Sequence, residues 1–260
     1  MEQRLILRGL ASGALGGLLA SVFARVLAEP VIQRAIDYES GREAAEGALR
    51  HVAAHHPELF SRGVQRNAGL GLALILFGLA MGGVVAVAYV LVARGMRPRV
   101  CPRTLALAVA VAGFAGFFLL PFLKYPADPP GIGHADTIHA RGLLYLAMVA
   151  ISLISVLAAA LAARRLTRQL GGWNATLVAL AALAAWMAIV MAILPSAEPA
   201  QPLRAPSGAI VYPGFPADLL VQFRLYAIGT QLILWSTLGL AFGALAAHGH
   251  LKGSSNVQAA

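Results

Sequence analysis

An all-α protein crossing a membrane about six times is what this sequence predicts. Three observations predict it: six apolar stretches of span length, charges confined between those stretches, and glycines at helical spacing within them. A hydrocarbon core about 30 Å thick takes roughly 20 helical residues at about 1.5 Å each. The stretches at 5–28, 68–93, 104–123, 142–163, 174–194 and 222–247 all reach that length. Composition agrees, because 59% of residues are apolar, 12% are charged and the mean hydropathy is +0.74. A soluble chain of 260 residues would need more charge to cover its surface.

Arginine placement gives the orientation, since basic residues resist translocation and collect on the cytoplasmic side. Arg94, Arg97, Arg99 and Arg103 fill one turn, and Arg164, Arg165 and Arg168 fill another. With Arg4 and Arg8 ahead of the first span and Lys252 after the last, both termini are expected inside and three connections outside. Multi-pass membrane insertion follows, with membrane lipid as the first partner. The pI near 10.6 then reports arginines at a membrane surface, so nucleic acid is not an expected partner. Cys101 is the single cysteine, which excludes a disulfide framework and a thiolate metal cluster.

In the first span Arg4 and Arg8 precede an apolar run, and Val26-Leu27-Ala28 resembles a small-residue cleavage site. Against a cleaved signal stands the spacing of Gly9, Gly13 and Gly17, which bares backbone on one face for contact with another helix. The connection at 29–67 is expected to be extracytoplasmic and to hold two short helices, the first starting near Pro30. Arg62 and Arg66 near its end either anchor at the interface or line an outer mouth beside carboxylates such as Glu29. The second span carries Gly78 and Gly82, the third Gly113 and Gly116, and the sixth Gly239 and Gly243, which predicts a tightly packed bundle.

After the third span, Pro126, Pro129 and Pro130 make the chain from Tyr125 onward stiff and extended, holding Lys124 and Tyr125 at the membrane surface. His134, Asp136, His139 and Arg141 follow. Imidazole with carboxylate suits cobalt, nickel or zinc, so His134, Asp136 and His139 are candidate metal ligands. The competing reading makes Asp136 the N-cap of the fourth span. In the last outer connection Asp218 and Arg224 sit at the mouth of the sixth span, six residues apart, and are expected to pair with other helices; Arg62 and Arg141 are candidates for Asp218. Gln231, within that span, must face protein or water, either lining a path or bonding a neighbouring helix.

No HExxH, CxxC pair, phosphate-binding loop or Gly-x-Ser-x-Gly elbow occurs, so no enzyme motif is present and no permanently bound cofactor is expected. A membrane enzyme using Lys124, Tyr125 and Asp128 lacks a nucleophile with an adjacent base. A subunit that only positions a partner would also account for the glycine faces.

Several segments taken together carry a resemblance: Arg8-Gly-Leu, Glu29-Pro-Val-Ile-x-x-Ala-Ile, Ser61-Arg-Gly-Val-Gln-Arg66 and Pro121-Phe-Leu-Lys-Tyr-Pro-Ala-x-Pro-Pro130. Asp136-Thr-Ile, Gly171-Gly-Trp-Asn-Ala175, Gly214-Phe-Pro-Ala-Asp-Leu-Leu, Phe223-Arg-Leu and Gly229-Thr-Gln complete it. Over nearly its whole length the chain resembles the CbtA family of predicted cobalt transporter subunits. The resemblance implies Co2+ uptake for corrinoid synthesis, beside a small one-span, histidine-bearing partner, CbtB; a homo-oligomer is also compatible. The carboxylates Glu29, Asp136 and Asp218 fit the family pattern better than His134 and His139 do. The expected mechanism is capture of Co2+ by these groups in an outer mouth edged by Arg62, Arg66, Lys124, Tyr125, Arg141 and Arg224. Gln231 would then guide the ion inward.

Overall fold

The computed structural model describes residues 2–50, 69–95, 100–132, 137–196 and 201–258, with side chains described as far as His248. In chain order the elements begin with α1 (Glu2–Phe23), a π-helical turn (Ala24–Ala28), α2 (Glu29–Arg50) and α3 (Leu70–Arg94). Next come α4 (Pro102–Phe114), a second π turn (Ala115–Leu119), α5 (Leu120–Lys124) and α6 (Ile138–Ile193). Strands β1 (Leu203–Arg204) and β2 (Ile210–Tyr212) precede α7 (Ala217–Gln258). Five helical runs are long and apolar enough to cross a membrane: 2–50, 70–94, 102–124, 138–193 and 217–248. The chain is an all-α polytopic membrane protein.

Six apolar stretches fall on five runs because α6 contains two of them. At Gly171 the backbone leaves the helix (φ 74, ψ 163), a left-handed conformation that glycine adopts without a Cβ penalty. The two arms fold back on each other there. Trp186 Nε1 donates to Ser155 Oγ at 3.1 Å, although a straight helix would hold residues 31 apart at roughly 46 Å. Met148 meets Met187 and Val190 in the same hairpin core.

Proline explains both π turns. A helical proline has no N–H to give, and its ring collides with the carbonyl four residues back. Ahead of Pro30 the turn widens so that Glu29 N–H donates to Ala24 O; ahead of Pro121, Leu120 N–H donates to Ala115 O in the same way. Opening the turn shifts the obstructing carbonyl, and the helix continues through the proline. The expected fresh start at Pro30 is therefore replaced by one continuous run from residue 2 to 50, and helix persists past Pro121 to Lys124. From Tyr125 (φ −124, ψ 77) the chain leaves the helix, as the prolines at 126, 129 and 130 predict.

The chain divides into two compact units, the first being Met1–Val111, Asp128–Gly131 and Gln201–Ala260, the second Ala112–Ala127 and Ile132–Ala200. In the first unit α1 lies between α3 and α7. Gly9, Gly13 and Gly17 meet Gly82, Gly78 and Leu74 in antiparallel order, each backbone against the other's carbonyls. On another face of α1, a Cβ on Gly16 would stand 2.7 Å from Leu234 O of α7. In turn α7 meets α4, where Cβ atoms on Gly239 and Gly243 would stand 2.9 Å and 3.4 Å from Ala110 and Ala106. Lipid tails are as apolar as leucine, so such helices associate through close van der Waals contact, which small residues permit. Tyr89 of α3 and Phe242 of α7 add an edge-on aromatic pair at 5.3 Å.

An ion pair between Arg94 and Glu2 ties the end of α3 to the start of α1. Arg103 lies against Gly243 near the far end of α7. The opposite end of the first unit is built by the start of α2 on the start of α7: Val31, Ala35 and Leu219, with Phe215, Phe223 and Tyr226 around them.

In the second unit, Gly116 of the second π turn packs on Leu153 of α6. Phe114, Phe118 and Phe122 follow one another down one helix face at 5.6 and 5.0 Å between ring centres.

Candidate functional site

The richest polar chemistry of the first unit gathers at the end where α2 and α7 begin. Glu29 heads α2 and is buried, 4% exposed, one residue before the proline that opens the π turn. Asp218 stands in the first turn of α7 and is exposed; among the described residues it makes no ion pair. Its neighbour Leu219 belongs to the same apolar cluster as Val31, two residues beyond Glu29, so packing carries both carboxylates to one end.

Arg224 Nη2 donates to Asp128 Oδ1 at 2.8 Å. A cation on α7 thereby holds the proline-stiffened segment, a non-helical stretch, where the sequence predicts a partner on another helix. Gly131, three residues on, has φ +83, and a Cβ there would meet Tyr38 and Glu39 at 3.2 Å. Its N–H donates to the Glu39 carboxylate. Burial pushes the Glu39 carboxyl above the usual range, Glu43 adds to that, and the Gly131 N–H opposes it. Arg34 Nη2 donates to Gln222 Oε1 at 2.8 Å, joining α2 to α7 a second time.

Beside these contacts the β hairpin docks on α2. Strands β1 and β2 run antiparallel around a turn with Gly208 at φ +83. Tyr38 donates its hydroxyl to Pro213 O at 2.7 Å and packs on Tyr212 and Phe215. Arg42 Nη1 donates to Gln201 O at 2.8 Å. Neither hairpin nor anchor was expected from the sequence. The signals present were Arg34, Tyr38 and Arg42, one helical turn apart on one face of α2.

In the second unit Lys124 Nζ reaches Ser196 Oγ at 3.3 Å and the Tyr125 hydroxyl donates to Pro195 O at 2.8 Å. Both tie the end of α5 to the end of α6. Arg141 Nη1 donates to Ile132 O at 3.1 Å, and His139 is exposed. Thr137 occupies the N-cap position of α6. Arg62, Arg66, His134 and Asp136 lie outside the described residues. Gln231 accepts from Trp235 Nε1 at 3.1 Å within its own helix.

Among the described residues no three His, Cys, Asp or Glu side chains come together as a metal site. Two carboxylates at one end supply oxygen ligands of the kind divalent cations accept, and too few of them to trap an ion. Lys124, Tyr125 and Asp128, the groups a membrane enzyme would use, are each engaged in a structural bond.

A bundle of apolar helices closed by glycine, with carboxylates collected at one end, defines a polytopic membrane protein. Residues 2–247 match the family model described as probable cobalt transporter subunit (CbtA), and the chain belongs to that family. No curated protein and no solved structure matches it.

Proposed function

We propose that this chain is the membrane subunit through which a bacterial cell takes up Co2+ across its inner membrane for corrinoid synthesis, and that it is not an enzyme. Membership of a family described as probable cobalt transporter subunits carries the reading. A subunit implies partner chains, and a small one-span, histidine-bearing CbtB-like protein is the partner proposed, with self-association as a further possibility.

Glu29 and Asp218 are proposed as capture ligands in an outward-facing mouth. The amino-terminal segment bearing Arg8 and the turn bearing Arg94 and Arg103 would then face the cytoplasm, in keeping with the basic-inside rule. Asp136, His134 and His139 join them as ligands on the strength of their chemistry and sequence alone. Arg62, Arg66 and Arg141 are proposed to edge the mouth, with Lys124, Tyr125 and Arg224 fixing its walls. A carrier must exchange part of the ion's water shell for ligands that still release it, which a small set of carboxylates does better than a closed cage. No phosphate-binding loop is present, so the energy would come from an ion gradient, the membrane potential or a separate protein.

The test is Co2+ entry into liposomes containing the purified chain, alone and with its partner, for the wild type and for Glu29→Gln, Asp136→Asn and Asp218→Asn. Entry that falls at least tenfold in one or more variants supports the assignment. Unchanged entry in all three removes the ligands, and absence of entry with the partner present removes the transport reading.

A further inference from the structure

We infer that the inner face of the α6 hairpin is a binding site for a soft monovalent cation of the Cu+ or Ag+ type. The thioethers of Met148, Met187 and Met191 are its ligands, with the Ser152 hydroxyl beside them.

Three of the protein's six methionines meet in one cluster of the second unit. Met148 and Met187 are buried, and half-buried Met191 packs against them with Tyr125 and Leu194. Met187 and Met191 lie one helical turn apart on the second arm of α6, so one face of that arm presents both to Met148 on the first. Ser152 follows Met148 by one turn and is 0% exposed, and its Oγ has no hydrogen-bond partner among the described residues. In the other helical positions Ser12, Ser155, Thr167, Thr176, Thr230 and Ser236 each donate to the carbonyl four residues back. Ser152 does not, although Met148 O stands at that position. Apolar packing accounts for methionine, which fills irregular gaps, and leaves a buried hydroxyl without a bond unexplained.

Ligand chemistry and charge select the ion. Every side chain of the cluster is uncharged. The cost of bringing an ion into such surroundings grows with the square of its charge, so a divalent ion costs about four times as much as a monovalent one of equal size. Thioethers are soft, polarizable donors that favour Cu+ and its redox-inert analogue Ag+, whereas Co2+ is better served by carboxylate or imidazole. The site therefore differs in kind from the carboxylates Glu29 and Asp218. Met191, three residues before the end of the helix at Leu194, gives the ion its way in.

The experiment titrates Ag+ calorimetrically into the full chain in detergent and chloride-free buffer, in a Cys101→Ser background, because a thiolate would capture the ion first. Binding of one equivalent is expected. X-ray absorption at the silver edge should then show sulfur neighbours, which in that background only methionine can supply. Met148→Leu and Met187→Leu nearly conserve volume and should each weaken binding at least tenfold. Met191→Leu, at the half-buried edge, should do the same and keeps the test decisive where a core variant fails to fold. Ser152→Ala should weaken binding severalfold. Absence of sulfur neighbours overturns the inference. Binding unchanged in all three methionine variants also overturns it, and would mean that the cluster is core packing alone. Displacement of Ag+ by an equal concentration of Co2+ overturns it too, since the site would then not be selective for a soft monovalent ion.

Discussion

Arg224 and Asp128, 96 residues apart in the chain, meet at 2.8 Å with about a third and a quarter of their side chains exposed. The pair clamps the segment following α5 onto the first turns of α7, at the same end as Glu29 and Asp218. A half-buried, hydrogen-bonded ion pair of this kind contributes about 1–2 kcal/mol, less than a buried one because water still screens it. Asp128→Asn and Arg224→Gln should each lower the midpoint of thermal unfolding in detergent. The double variant should lose less than the sum of the two, because each single change already removes the shared contact. Additive losses would mean that the pair does not couple these elements.

Contact between α1 and α3 depends on missing side chains. A Cβ on Gly13 would overlap the carbonyl oxygen of Gly78 and stand 2.9 Å from the Cα of Gly82, and backbone cannot yield as a side-chain tip can. Gly13→Ala should cost about 1–3 kcal/mol through separation of the helices, and Gly13→Leu should prevent assembly. Gly71→Ala, with nothing within 4 Å of the added carbon, is the control and should be neutral or slightly stabilising. Monodispersity in detergent and the unfolding midpoint measure both.

Glycine spacing made this interface legible in the sequence, since a four-residue repeat can serve only one helix face and a close approach is the main use of bare backbone there. Gly239 and Gly243 were legible for the same reason. The continuous helix through Pro30 was not, because proline reads in sequence as a helix boundary and the π turn that accommodates it leaves no mark there. Nor was the partner of Arg224 readable: an ion pair between distant segments leaves no periodic trace, and Asp128 among prolines looks like any loop acid. Of the candidate ligands, burial singled out Glu29, a property hydropathy would not assign to a charged residue.

Cys101 is the sole cysteine, and its thiol sits just ahead of the first turn of α4. Backbone N–H groups of Arg103 and then Thr104 donate to the sulfur and hold its pKa below the ordinary thiol value. The thiolate is the reactive form, so maleimide labelling near neutral pH should be faster than for a free cysteine-containing peptide, with its half-maximal rate at lower pH. Cys101→Ser should abolish labelling. In sealed vesicles of known orientation, an impermeant maleimide should reach Cys101 from the face bearing Arg94 and Arg103, and labelling from the other face would reverse the proposed topology.

Glu39 gives a pH dependence whose sign follows from its surroundings. Burial and then Glu43 favour the uncharged carboxyl, against the pull of the Gly131 N–H, so its pKa is higher folded than unfolded. Stability contributed by this group is fully present below the ordinary glutamate value and is lost as pH rises through the raised one, because the folded state then carries a charge it disfavours. Glu39→Gln keeps an acceptor for Gly131 and removes both the desolvation and the repulsion from Glu43. The variant should unfold at a higher temperature than the wild type at neutral pH, and the two should converge in acid. Wild-type stability that instead increased with pH through this range, with Glu39→Gln flattening that rise, would show that the Gly131 hydrogen bond outweighs burial and that the carboxylate is held charged in the docked segment.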